Sequence, residues 1–455
     1  MKQVTAAIDL GTSKTIAFVA QKDYSGKLSV LRTESFSSKN AIRRGRVYNS
    51  NMVSEIVSEL IWKLNSNLPS PIEKIYVGIG GQSLRTQSFI VKRSVEGGIV
   101  NQQLLDLLNE KANRHEPEFD ENLGIASYEY YVDGQLLSDP KGTVASVIEA
   151  KYQLIVGNPY LKLNLGKIFE EKEVFVADYF ISPLATAEAV LTPEEKEKGC
   201  ALIEWGEGVT YVSVYKKNAL KYMTTLPLGG LAITKDIRSL NVSEDEAEAL
   251  KIKRGSAVSE STDNVNIPVN ERQSSSRKIE LRDLNWVIEA RVDEIVKNIW
   301  NQIQLSGYSK ALDAGIVITG GGALLRDLPV FIQNQTGQEV RLADAKRWIN
   351  DAKTQLSPAD SCVIGLTIMG KENCVKEVKA RVRQSDMFDD DGDPGDDTDD
   401  GTRGGKKNKK QNKRPVAISD PLGVRRFREK IGKIINNGMD ELFPKEEFEN
   451  NENTH

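Results

Sequence analysis

An apolar run that closes on an acid, breaks into a glycine turn and resumes as a second apolar run occurs twice in this chain. The first copy is Ala7-Ile8-Asp9-Leu10-Gly11-Thr12-Ser13-Lys14-Thr15-Ile16-Ala17-Phe18-Val19. The second is Cys200-Ala201-Leu202-Ile203-Glu204-Trp205-Gly206-Glu207-Gly208-Val209-Thr210-Tyr211-Val212. Each reads as a β-hairpin whose turn can wrap an anion. Glycine lets the backbone approach closely, Thr12 and Ser13 offer hydroxyl donors, and Asp9 can face a hydrated Mg²⁺. A third run, Gly315-Ile316-Val317-Ile318-Thr319, meets Gly320, Gly321 and Gly322 and continues helix-like through Leu328 and Phe331. Glycines there permit positive φ and let a flat base or ribose lie on bare backbone. One glycine turn is weak evidence, and the first segment alone reads equally as an ordinary buried hairpin. Two acid-turns followed by a triple glycine form a specific set.

Composition narrows the chemistry. With 61 basic and 65 acidic residues and a net charge of −4, the chain is too balanced for a nucleic-acid binder. Its two histidines, His115 and His455, leave no room for a Ser-His-Asp triad or a His-rich metal site. Cys200, Cys362 and Cys374 have no metal or redox spacing, so unpaired thiols in a reducing compartment are expected. Met1-Lys2-Gln3 leads straight into a strand, so neither a signal peptide nor a membrane-spanning segment is expected. Carboxylates, lysine, Mg²⁺ and water remain as the chemical repertoire.

Periodicity places the elements. Val53, Ile56, Val57, Leu60, Ile61 and Leu64 recur at helical spacing, and Ile75 to Gly81 reads as a strand ending in glycine. A long helix from about Asp283 to Ile303 carries Val287, Ile288, Val292, Ile295, Val296 and Ile299 on one face. The polar stretch from Ser256 to Arg277 reads as loop or short strands, and Ser361 to Gly370 as a closing helix. After Gln384 the chain turns almost wholly acidic and then almost wholly basic. Neither block can bury enough apolar surface to offset its ordering entropy, so residues 384–420 are expected to be a disordered linker. As a flexible coil it would span roughly 30–35 Å.

On these three turns the sequence resembles the actin-like ATPase superfamily and, within it, the bacterial cell-division FtsA family. Three further segments carry the resemblance: the connecting helix region Ala177 to Ala187, the turn Pro227 to Ile237, and Glu246 to Gly255. The resemblance covers roughly residues 1 to 375. It implies an α/β, actin-like two-lobed ATPase fold with an inserted small α+β subdomain, a disordered linker and a C-terminal amphipathic helix. The implied division is 1–82 for the first half of the core, 83–167 for the insertion and 168–383 for the second half.

The tail restarts order after the linker. Val424, Phe427, Ile431, Ile434 and Ile435 make one apolar helical stripe, while Arg426, Lys430 and Lys433 fall on the other side. Residues 421–443 therefore read as an interfacial helix on anionic lipid, or else as a helix docking on protein; 444–455 read as a disordered tail. The family's membrane-targeting helix, which also follows a variable linker, looks like this one and favours the membrane.

The resemblance also implies roles, residue by residue. ATP with Mg²⁺ would lie between the halves, with Asp9 as the metal-side acid and Glu204 as the acid of the second loop. Gly11, Thr12, Ser13, Lys14, Gly206 and Gly208 would cradle phosphate. Gly320, Gly321 and Gly322, with Gly229, Gly230, Glu248 and Lys251, would face the nucleoside. The second loop departs from the family's Asp-x-Gly-Gly-Gly-Thr: Glu204 is longer by a methylene, Glu207 replaces a glycine and Val209 a hydroxyl. A misplacement of about 1 Å can cost about 10²-fold in rate, so nucleotide binding with slow or absent hydrolysis is expected.

The implied function is a peripheral protein on the cytoplasmic side of the membrane at the division site. It would polymerise and hold FtsZ filaments there. The FtsZ C-terminal peptide would dock on the second half, with Arg291 and Lys297 in the matching region, and other division proteins on 83–167. A solvated helix face explains those two cations equally well. Two other readings stand beside it: a sugar or metabolite kinase of the same superfamily, for which no general base is evident, and an actin-like adaptor of another envelope machine, such as pilus assembly.

Overall fold

The computed structural model describes residues 3–376 except 67, 171, 173, 260–264, 271–276 and 351–354. The expected linker (384–420), amphipathic helix (421–443) and tail (444–455) lie outside the described residues.

Two five-stranded sheets form the centres of two lobes. In the first, the order is Phe175–Ile181, Lys74–Ile79, Gln3–Leu10, Lys14–Lys22, Leu28–Ser37. The last three are an antiparallel meander, and the first two run parallel. Thr5 to Ile8 and Ile16 to Ala20 are buried without alternation, which requires cover on both faces. Helices supply it: Ser50–Asn65 packs beside Tyr160–Glu170, and Ser361–Met369 lies against Ser182–Val190. Gly365 makes that last contact possible, because a Cβ there would stand 1.9 Å from the Ala185 carbonyl oxygen.

The second sheet repeats the plan: Ala219–Leu226, Thr210–Lys216, Cys200–Trp205, Ile316–Thr319, Val340–Leu342. Its antiparallel meander again flanks parallel strands. The long helix Leu281–Leu305 buries Leu284, Ile288, Val292, Ile295, Val296, Ile299 and Ile303 in this lobe's own core. Helix Glu244–Arg254 starts with a capping box in which Ser243 and Glu246 satisfy each other's amides.

The insertion is a four-stranded sheet, Arg85–Ser94, Val147–Gly157, Glu121–Val132, Gln135–Leu137, covered by helix Gln102–Asn113 around a third core. It meets the edge strand of the second lobe. Lys221 Nζ donates to Glu129 Oε1 at 2.5 Å, Ser127 Oγ to the Leu220 carbonyl at 2.7 Å, and the Met223 amide to Thr86 Oγ1 at 2.9 Å.

The lobes are less sequential than the expected boundaries. Helix Tyr160–Glu170 buries Leu161, Leu165, Ile168 and Phe169 in the first core, so the insertion's own sheet ends at Gly157. The segment expected as a connecting helix begins as strand Phe175–Ile181, and helix starts only at Ser182. That strand, Ser182–Val190 and Ser361–Met369 belong to the first lobe, although all three lie within 168–383. The chain thus returns to its first lobe twice.

Candidate functional site

The two acid-turns are built to one pattern. Leu10 pairs with Thr15 and Trp205 with Thr210, so each hairpin closes over four residues. In the first turn Gly11 N donates to the Lys14 carbonyl at 3.1 Å; in the second Gly206 N donates to the Val209 carbonyl at 2.9 Å. A Cβ at either Gly11 or Gly206 would stand 2.8 Å from that same carbonyl oxygen, so both turns need glycine there. The amides of Thr12, Ser13, Glu207 and Gly208 make no hydrogen bond among the described residues, leaving two pairs of donors for an anion. The turns touch across the lobes: a Cβ at Gly208 would fall 2.6 Å from Thr12 Oγ1. They line one wall of a cleft of about 460 Å³ between the lobes.

Asp9 and Glu204, each the second-last residue of its strand, face this cleft. Burial holds the Asp9 carboxyl above its usual range, an effect offset in part by the Cys362 thiol, which donates to Oδ1 at 3.3 Å, and by Lys14 and Ser182. Glu204 is pushed up to about 8, by burial first and by the Asp9 charge second. Thr186 does little to relieve it, because Glu204 Oε2 and Thr186 Oγ1 are sealed from solvent and each lacks a hydrogen-bonding partner. Glu207 is raised by burial first and by the Glu248 charge second. Lys14 Nζ lies 3.2 Å from Asp360 Oδ1, bridging the first turn to the segment that enters the closing helix.

A glycine-rich, partly apolar wall also lines the cleft. Gly320, Gly321 and Gly322 follow strand Ile316–Thr319, and a Cβ at Gly322 would stand 2.2 Å from Trp205 Cδ1. Exposed Ile252 and Leu324 give it an apolar surface, with Arg326 beside them. Lys251 Nζ donates to the Gly230 carbonyl, Thr234 Oγ1 and Glu248 Oε2 at 3.0, 2.8 and 2.6 Å. Gly229 and Gly230 bolt the second turn to helix Gly230–Ile237: Gly230 N and Leu231 N donate to the Gly206 and Glu207 carbonyls at 3.0 and 2.9 Å.

The residues fit a nucleotide with Mg²⁺. Free turn amides and glycine cradles suit phosphate, and the Asp9 carboxyl lines the same cleft. No cluster of three metal-ligating side chains exists among the described residues, so Mg²⁺ would be held by one carboxylate, phosphate oxygens and water.

Comparison with known proteins shows the family. The family model for cell division protein FtsA matches residues 201–365. Cell division protein FtsA of Porphyromonas gingivalis is 30% identical over 344 residues, covering 74% of this chain and 72% of that protein. The chain belongs to the FtsA family. FtsA of Neisseria meningitidis serogroup B is 27% identical over 369 residues, covering 79% of this chain and 88% of its own. Among solved structures, the PilM-PilN type IV pilus biogenesis complex matches at 12% identity with a TM-score of 0.55, covering 81% of this chain and 98% of that one. At that identity the likeness is one of fold.

Of the residues expected at an FtsA nucleotide site, Asp9, Gly11, Thr12, Ser13, Lys14, Glu204, Gly206, Gly208, Gly230, Glu248, Lys251 and the three glycines 320–322 all line this cleft. Gly229 stands behind the second turn. Arg291 and Lys297 are elsewhere, on the long helix: Arg291 pairs with Asp236 and Glu294, Lys297 with Asp293. Val424, Arg426, Phe427, Lys430, Ile431, Lys433, Ile434 and Ile435 lie outside the described residues. Sequence reading gave no site role to Ser182, Tyr211, Ile252, Leu324, Arg326 and Cys362, which also line the cleft. The first five lie in or just after segments singled out above, whereas Cys362 is brought there by tertiary packing.

Proposed function

We propose that this FtsA-family protein binds ATP with Mg²⁺ in the interlobe cleft, polymerises, and holds FtsZ filaments on the cytoplasmic face of the membrane. The observation that carries the nucleotide part is the pair of matched glycine turns with free amides, each preceded by an acid facing the same cleft. Thr12, Ser13, Glu207 and Gly208 would hold phosphate oxygens through their amides, and Asp9 the metal. Bound Mg²⁺ would neutralise phosphate charge and orient the phosphates. Glu204 is a methylene longer than the family's aspartate at this position, and a misplacement of about 1 Å in a water-positioning group can cost about 10²-fold in rate, which supports binding with slow or absent turnover.

Family membership supports the division role over the kinase and pilus readings. For the membrane, the support is the sequence of 421–443: full burial of one Phe or Ile contributes roughly 1.5–3 kcal/mol and each nearby cation about 1 kcal/mol on an anionic surface. The test is co-sedimentation of FtsZ filaments with anionic vesicles in the presence of the full chain. Wild type should carry FtsZ down, whereas Phe427→Glu should release both proteins yet still bind FtsZ's C-terminal peptide in solution. Undiminished sedimentation by that variant, or by a chain ending at Gln384, would overturn the anchor. Failure to bind the peptide would overturn the partner.

A further inference from the structure

Tyr211 takes no part in the phosphate turns, yet it reaches across the cleft behind them. It sits on strand Thr210–Lys216, directly opposite Glu204 in the register, and is only 6% exposed. Its hydroxyl crosses from the second lobe to the first and accepts a hydrogen bond from the Gly81 amide at 2.7 Å. The receiving socket is made of glycines. A Cβ at Gly80 would stand 2.8 Å from that hydroxyl and one at Gly45 3.4 Å, while Gly45 and Gly81 hold φ of +70° and +141°. Side chains at these positions would push the phenol out or strain the backbone.

The hydroxyl has a proton to give. Burial, with Glu204 and Asp9 acting in the same direction, keeps the phenol protonated, and among the described residues no acceptor takes its hydrogen. Gly45, Gly80, Asp9, Glu204 and Tyr211 all line the cleft, and a chain of close approaches joins the phenol to the first acid. A Cβ at Gly80 would lie 2.8 Å from the Tyr211 hydroxyl and 3.6 Å from Ser182 Oγ, and one at Gly78 2.7 Å from Ser182 Oγ and 3.2 Å from Asp9 Oδ1. A nucleotide with its base against the triple glycine and its phosphates along the two turns, its metal on Asp9, would bring its last phosphate towards this group. A neutral donor suits that place, since it can meet a phosphate oxygen without adding negative charge to the two acids.

We propose that Tyr211 is a positioning residue that joins the lobes and donates its hydroxyl proton to the terminal phosphate, so that the cleft discriminates nucleoside triphosphate from diphosphate. This rests on the nucleotide reading above. Losing the last phosphate would leave the hydroxyl with its lobe contact alone.

The experiment titrates full-length wild type and Tyr211→Phe with ATP and with ADP, each with Mg²⁺, and follows hydrogen exchange at the Gly81 amide. A hydrogen bond to a charged group contributes a factor of roughly ten or more, so ATP affinity should fall about tenfold while ADP affinity changes less than about twofold. In wild type, ATP should slow exchange at Gly81 more than ADP does, a readout that needs no variant. Equal losses for both nucleotides, no loss for either, or equal protection by ATP and ADP would overturn the proposal. Wild type that binds neither nucleotide would overturn the nucleotide reading itself, a distinct result.

Discussion

The fate of single carboxylates decides how this cleft behaves. Glu204 has a native pKa near 8 against an ordinary 4.5, so between those values the folded protein holds a proton that the unfolded chain has lost. Stability therefore falls as pH rises from about 4.5 towards 8 and levels off above. Burial raises Asp9 as well, so it acts in the same direction. In thermal melts of ligand-free protein, wild type should lose more Tm between pH 5 and 8.5 than Glu204→Gln; parallel curves would remove Glu204 from this role. Both acids were legible in the sequence, because each directly precedes a turn whose glycines are its neighbours in the chain. Cys362 was not: it meets Asp9 across 353 residues, and nothing near it in the sequence points there. Lys14 was expected to cradle phosphate, and its pairing with Asp360 could be seen only once the closing helix was placed beside the first hairpin.

At the scale of elements, the triple glycine makes unequal demands. A Cβ at Gly322 would run into Trp205, whereas one at Gly321 would only reach the Ala359 methyl at 3.7 Å. Gly322→Ala should thus cost about 1–3 kcal/mol, as overpacking does, and Gly321→Ala within about 0.5 kcal/mol. Urea melts of the two variants check this; equal losses would mean that the Trp205 contact does not govern the turn. Long periodic helices were read nearly to the residue, since a sustained apolar stripe is a strong signal: Asp283 to Ile303 became Leu281–Leu305. The strand Phe175–Ile181 was read as helix because its neighbour Ser182–Val190 is one. Its own Val176, Tyr179, Phe180 and Ile181 favour a strand, and Pro183 fits the first turn of the helix that follows. The apolar face of Tyr160–Glu170 announced a helix but could not say which of two adjacent cores it fills.

Over the whole molecule, two lobes of one plan meet at matched turns, and the chain's repeated hairpins already carried that symmetry. The return crossings to the first lobe were hidden, because connectivity of this kind is set by packing between segments far apart in sequence. The insertion adds a second bridge, since Lys221 is a nearly buried cation paired with Glu129 across the boundary between insertion and second lobe. Any movement of the lobes about a bound nucleotide would be felt there as well as in the cleft. The account depends most on the cleft itself. Calorimetric titration of Mg²⁺-ATP into the full chain tests it, with Asp9→Asn alongside. One saturable site that Asp9→Asn weakens at least about tenfold is the expected result; a wild-type protein that melts cooperatively and yet gives no saturable binding would contradict it.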